Sequence, residues 1–383
     1  MSLRRVWAAL LLTAAALLAG CGGSAPALTE PAALNWENLE FDHSMELVYA
    51  DQFTLDTYRQ GYRIVTIGGT DRYLVVPEDA PVPAGVPEEV TVLQQPLDSI
   101  YLVATSAMDL FRELDALDRI RLSGTDASGW YIEEAKQAME RGDILYAGKY
   151  SAPDYERILA EGCDLALEST MIYHTPEVRE QLLRLGIPVL VERSSYESHP
   201  LGRVEWIRLY GALLGREQEA DAYFSALLDR LAPVLDQPGT GKTVAFFYIT
   251  SNGAANVRKP GDYIAKSIAL AGGEYILRQQ PGEESASSTM NMQMEAFYEQ
   301  ARDADVLIYN SAIDAELHSL EELLDKSSLL KDFKAVREGN VWCTGKNLFQ
   351  ESLGLGDLIW DLHAIVTARD PESLELTYLH RLD

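Results

Sequence analysis

Two stretches of this chain follow one plan. APDYERILAEGCDLALES (152–169) and MQMEAFYEQARDADVLIYNS (292–311) each begin acidic, carry apolar residues at helical spacing, and run into an apolar strand. Glu156 lies 8 residues before Asp164, and Glu295 lies 10 before Asp305. Each strand ends in a polar loop, STMIYHTPEV (169–178) or NSAIDAELHS (310–319). A further helix-strand unit then closes with IPVLVE (187–192) or NVWCTG (340–345). Repetition of such a unit limits the fold to two similar lobes. Strand and helix alternate through both series, so the fold class is α/β, with two Rossmann-like lobes built on parallel-rich sheets. Ligands of open α/β sheets bind beyond the carboxyl ends of the strands. Two such lobes facing each other make a cleft.

Between the two series lies HPLGRVEWIRLYGALLG (199–215). Placed at 100° per residue, Trp206, Tyr210, Leu214, Ile207, Gly211 and Val204 span a continuous arc, with Leu209 and Leu213 on its edge. Glu205, Arg208 and Ala212 form the narrow opposite face. An ordinary surface helix has a stripe only a little over 100° wide, so this helix is expected to touch both lobes. Fifteen residues reach about 22 Å, enough to run from one lobe to the other as a single rigid connection. Arg203 lies inside the arc in the first turn, placed to reach the cleft mouth or to pair with an acid. A second helix, REQEADAYFSALLDRLAPVL (216–235), follows.

The N-terminus reads as an address. Arg4 and Arg5 precede an apolar stretch from Val6 to Leu18, and Leu18-Ala19-Gly20 leads into Cys21. That is a secretory signal, shorter than the roughly 20 residues of a membrane span. The expected organisation is a signal over 1–20, a Pro-containing polar tether over 21–38, an N-terminal lobe over 39–198, the interlobe helix over 199–215 and a C-terminal lobe over 216–383. The formal net charge is −27, and cleavage removing Arg4 and Arg5 leaves −29. So acidic a surface argues against nucleic acid or anionic lipid as a partner. Cys163 and Cys343 sit by apolar strand-like runs in different halves and are expected to be free thiols.

Several motifs bear on chemistry. PGTGKT (238–243) resembles a phosphate loop, but Asp236 stands where its first glycine belongs, and the segment enters a strand rather than a helix. It reads as a turn. The six histidines (43, 174, 199, 318, 363 and 380) show no HxH, HxxxH or HExxH spacing, so no bare metal site is expected, and any metal would arrive inside an organic chelate. In NVRKPGDYIAKSIALAGG (256–273), Arg258 and Lys259 are expected beyond a strand's carboxyl end and just before a helix from about Asp262 to Ala271. Guanidinium, ammonium and free N–H groups can converge there on an anion. In the first lobe, Tyr173 and His174 would stand near the cleft, and Trp130 is a further candidate wall for a conjugated ligand. Ser106 opens the first helix, where capping and ligand contact are the two readings.

The order of these pieces resembles the solute-binding lipoproteins of ABC importers in the class that captures iron-siderophore complexes, haem and cobalamin. The resemblance rests on the sequence before Cys21, SIYLVATSAMDLFRELDALDRIRLSGT, DYERILAEGCDLALE, LRLGIPVLVE, the mid-chain helix, GDYIAKSIALAGGEYIL and LLKDFKAVREGNVWCTGKNLF, and it covers roughly Thr91 to Val366. Residues 39–89 fit less well and read as an N-terminal elaboration. The resemblance implies a diacylated Cys21, an extracytoplasmic lipid-anchored monomer with no cofactor of its own, and a metal chelate held between the lobes. It also implies an ABC permease as partner, docked through one glutamate on each lobe, here Glu156 and Glu295. Two rivals are a secreted lipoprotein hydrolase and an adhesion module. The first lacks a G-x-S-x-G elbow, and the second lacks repeats or low-complexity stalks.

Overall fold

The computed structural model of the protein describes residues 34–278, 289–368 and 374–383. The signal segment and Cys21 lie outside these residues, as does most of the tether. The chain divides into two units, residues 1–38 with 83–86 and residues 39–82 with 87–383. In the described part of the first, Asn35 bridges Ala84, and the Trp36 N–H donates to the Ala84 carbonyl at 2.8 Å.

The second unit contains three large sheets and a two-stranded ribbon among its described residues. The first comprises β1 (Phe41–Ser44), β2 (Phe53–Tyr58), β3 (Arg63–Ile67), β4 (Asp71–Val76) and β5 (Val90–Gln94). It is antiparallel as far as β4, which then pairs in parallel with β5. Thr91–Gln94, where the family resemblance begins, therefore belong to this preceding sheet.

The second sheet draws on β6 (Ile100–Leu102), β7 (Ile120–Ser123), β8 (Leu145–Tyr146), β11 (Leu165–Ser169) and β12 (Val189–Glu192), with β9 (Gly148–Lys149) and β10 (Ala152–Pro153) forming a separate short ribbon. Its order is β12-β11-β6-β7-β8, parallel throughout. Helices α1 (Met108–Glu113), α2 (Glu133–Arg141), α3 (Tyr155–Ala160) and α4 (Pro176–Arg184) connect these strands.

Helices α5 (Pro200–Leu214) and α6 (Glu217–Leu235) lead to the third sheet. Its strands are β13 (Thr243–Ile249), β14 (Ala255–Arg258), β15 (Glu274–Tyr275), β16 (Thr289–Met292), β17 (Val306–Tyr309), β18 (Val341–Thr344) and β19 (Leu379–Arg381). Around them lie α7 (Tyr263–Leu270), α8 (Met294–Ala301), α9 (Leu320–Lys326), α10 (Lys334–Arg337) and α11 (Leu355–Thr367). The parallel set β18-β17-β13-β15 repeats the order β12-β11-β6-β7.

The repetition reaches single atoms. Asp164 accepts the Ser99 N–H at 3.0 Å and returns its own N–H to the Ser99 carbonyl. Asp305 makes the same exchange with Thr243, accepting its N–H at 2.7 Å. The two-residue difference in spacing lies in the helices, since α3 has 6 residues and α8 has 8.

Helix α5 begins at Pro200, with the His199 Nδ1 accepting the Leu201 N–H at 3.1 Å, and stops at Gly215, whose φ of 69° suits a residue without Cβ. It packs against α1 from the first α/β half, α7 and α11 from the second, and α6. Phe111 meets Tyr210 edge-on at 5.6 Å on one side, and Arg203 lies 4.1 Å from the Tyr263 ring on the other.

The face expected to be open is closed. Glu205 and Ala212 are buried, and residues 46–52, between β1 and β2, cover the helix at Glu205. The Val48, Tyr49 and Ala50 N–H groups donate to the Glu205 carboxylate at 2.8, 2.7 and 2.9 Å, and Arg208 Nη1 donates to it at 3.1 Å. Glu197 likewise accepts the Asp51 and Gln52 N–H groups and, at 2.6 Å, the indole N–H of Trp206. Burial pushes the Glu197 carboxyl up to about 7, while these donors pull the other way. At the far end, Gln95 Nε2 donates to the Ala212 and Leu213 carbonyls, two of the acceptors a helix C-terminus leaves open. Cys163 and Cys343 are free, and burial pushes both thiols up to about 12.

Candidate functional site

In a parallel sheet every strand ends at one edge. In the second sheet that edge carries four 3-10 turns, Thr105–Ala107 after β6, Ala127–Gly129 after β7, Thr170–His174 after β11 and Ser194–Tyr196 after β12. In the third sheet it carries the loops after β17 and β18, the latter winding into a 3-10 turn at Lys346–Phe349. The two halves meet here. Gln350 accepts the Tyr131 N–H at 2.7 Å and donates to the Gly129 carbonyl at 2.8 Å. Ser352 Oγ donates to the Ser106 carbonyl, and the Leu353 N–H to Asp109, both at 2.8 Å.

Tyr173 and His174 lie in the turn after β11 and are exposed. Buried Ile172 anchors that turn, and Ser169 Oγ accepts the Met171 N–H at its start. Ser106 lies in the turn after β6, where its hydroxyl donates to Glu192 at 3.4 Å. Trp130 is placed differently from its reading as a cleft wall. It is buried, with its indole N–H on Ser123 Oγ at 3.3 Å, and the exposed ring at this turn is that of Tyr131. Tyr196 presents a further exposed ring after β12, which the sequence reading passed over.

Arg258 also departs from its expected place. The segment after β13 is a hairpin, not an open loop. Asn252-Gly253 makes the turn, with Gly253 at φ 80°, and Ala255–Arg258 returns antiparallel along β13. The reversal carries Arg258 back from the strand's end into a ring cluster, 5.4 Å from Phe349, 5.7 Å from Tyr263 and 5.9 Å from Phe246. Asp262 Oδ2 lies 3.6 Å from its guanidinium. Burial raises the Asp262 carboxyl, and Arg258 and Arg203 oppose that shift. Asp262 also caps α7 by accepting the Ile264 N–H at 2.9 Å. Arg203 therefore stacks on Tyr263 from α5, and its buried Nε has no hydrogen-bond partner among the described residues. Lys259, next in the chain, is half-buried. An Asn-Gly pair followed by alternating burial is the hairpin signal that marks this return strand.

Glu156 and Glu295 occupy the same position, the second residue of α3 and of α8, and both are exposed. Neither forms an ion pair among the described residues. Each helix runs into the strand beside it, so both first turns lie towards the carboxyl edge of their sheets. Among the described residues no helix is long and apolar enough to cross a membrane.

An edge built of turns after parallel strands thus recurs in two halves of one topology. Residues 103–348 match the sequence profile of the family described as Periplasmic binding protein, and the chain belongs to that family. A periplasmic haem-binding protein of Pseudomonas aeruginosa shares its fold with a TM-score of 0.58 at 18% identity, covering 75% of this chain and 98% of that one. An ABC-type Fe3+-hydroxamate transport protein of Saccharomonospora viridis does so with a TM-score of 0.54 at 20% identity, over 71% and 94%. An uncharacterized lipoprotein of Methanocaldococcus jannaschii is 25% identical over 355 residues, covering 86% of this chain and 81% of its own length.

Proposed function

We propose that this protein is the extracytoplasmic substrate-binding lipoprotein of an ABC importer, tethered through a lipidated Cys21. It captures an iron-siderophore, haem or corrinoid complex between lobes formed by residues 39–198 and 216–383, and delivers it to the permease. The observation that carries this reading is the matched pair Glu156 and Glu295, exposed at one helical position in two lobes of one topology. Two acids so related can meet two equivalent cationic sites on a two-fold permease. Exposed ion pairs are weak, about 0–1 kcal/mol each, which suits a contact that must release in every cycle.

Around the carboxyl edges, Tyr173, Tyr131 and Tyr196 offer aromatic faces, and Lys259, with Arg258 and Arg203 set further back, supplies positive charge for an anionic chelate. Arg258 acts partly through Asp262. Helix α5 serves as a strut between the lobes.

The test is intrinsic tryptophan fluorescence of the mature protein titrated with ferric catecholate, ferric hydroxamate, haem and cyanocobalamin. Saturable quenching by one class at micromolar concentration or below is expected. Absence of a response to all four would remove the reading.

A further inference from the structure

The loop after β17 and the C-terminal strand bring together Glu316, His318 and His380. The two histidines are 62 residues apart in sequence, and no spacing rule links them. They meet because β19 pairs antiparallel with β18, setting His380 opposite Cys343 beside the loop that leaves β17. The rings lie 5.9 Å apart, 25° from parallel.

We propose that these three side chains bind a divalent transition-metal ion of the zinc class, independently of the carrier reading. The argument begins with one proton. His380 Nε2 lies 2.7 Å from the Leu317 carbonyl, which can only accept, so Nε2 carries the hydrogen. In the neutral ring Nδ1 is then a bare lone pair, and it faces Glu316 Oε1 at 3.7 Å. A metal cation between two acceptors so placed would satisfy both. His318 supplies a third donor, and the donor atoms of all three lie within 4.8 Å of one another.

Donors bound to zinc at about 2.0–2.2 Å in a tetrahedron stand about 3.4 Å apart. The His380–Glu316 pair is already near that separation, and exposed His318 closes the rest by a side-chain rotation. A ligating histidine whose other N–H is held by a carbonyl is the usual outer arrangement of metal sites. The loop is fixed as well. Glu322 accepts the His318 N–H at 2.7 Å, and Ser319 caps α9 by accepting the Glu322 N–H at 3.2 Å. Two imidazoles and one carboxylate favour zinc, nickel or copper over magnesium or calcium. A pocket of about 410 Å³, bordered by Tyr131, Lys346, Asn347 and Thr377 as well as Glu316 and His380, leaves room for a further donor.

The test uses the full mature chain, freed of metal with chelator and dialysed. Zn2+ is titrated calorimetrically, and Co2+ is followed by its visible ligand-field absorption. One ion per chain at micromolar affinity is expected, with a rise in Tm that chelator reverses. His318→Ala and His380→Ala should each weaken binding at least about 10-fold, the lower end of what even outer-shell changes do. His43→Ala, at an exposed His-Asp pair on β1, should leave it unchanged. Because the His318 side chain is exposed, His318→Ala keeps the metal-free Tm and separates lost binding from lost folding. Binding weaker than about 100 µM, or unchanged in both variants, would overturn the proposal.

Discussion

Replacing Glu168 with glutamine should flatten the pH dependence of this protein's stability. Glu168 lies on β11, fully buried, and neither of its carboxyl oxygens has a hydrogen-bond partner among the described residues. Its neighbours belong to the apolar cluster of Tyr101, Val103, Ile172 and Val191. Burial alone raises the carboxyl from 4.5 to about 8. Between those values the folded chain holds a proton that the unfolded chain has released. Stability therefore falls as pH rises from 4.5 to about 8, by about 1.4 kcal/mol per pH unit. Over the whole interval the loss is about 5 kcal/mol at most. The contribution is fully present below pH 4.5 and gone above 8.

Glu197, raised to about 7, and Asp109, raised to about 6, slope the same way. The informative quantity is thus the difference between wild type and Glu168→Gln, from urea unfolding at half-unit steps between pH 5 and 9. Near pH 5 the two should differ by under about 1 kcal/mol, since a protonated carboxyl and an amide are close in size and polarity. By pH 8 the glutamine variant should be the more stable by several kcal/mol. A difference curve that stays level across the range would refute the reasoning, because it would place an ionised, solvated carboxylate where the structure has an apolar cluster.

Glu205→Ala should destabilise the protein by about 3–5 kcal/mol in urea, because three backbone N–H groups and Arg208 lose their acceptor together. Glu205→Gln should recover part of that. Glu156→Arg and Glu295→Arg should change stability by less than about 0.5 kcal/mol, as exposed positions do, yet lower uptake of the bound ligand in cells. Arg258→Ala should lower Tm before any ligand is added, because Asp262 stays buried without its nearest cation, and Lys259→Ala should weaken an anionic ligand.

The repeated unit was legible because each part of it is local. Helical spacing, an aspartate at the strand's start and an apolar run all lie within 20 residues. The buried polar face of α5 was not, since the segment that covers Glu205 lies some 155 residues earlier, and nothing near Glu205 announces it. Arg258 was misplaced by overlooking one turn, Asn252-Gly253, which converts a loop into a strand. Trp130 and Tyr131 are adjacent, and only the path of the preceding 3-10 turn decides which ring faces inward. His318 and His380 meet through strand pairing, which no spacing rule reports.

The clasp of residues 48–52 on Glu197 and Glu205 also sets an order of events during synthesis. These residues leave the ribosome well ahead of the two glutamates. At about 5–20 residues per second, the delay is about 7–30 s. Throughout it, five N–H groups destined for those carboxylates have only water to bond. The N-terminal sheet can pair its own strands early, but its link to α5 closes only once the chain has passed Leu214. A contact of such long sequence separation forms late and slowly. The elaboration that braces the helix in the finished protein is thus among the first parts made and among the last secured.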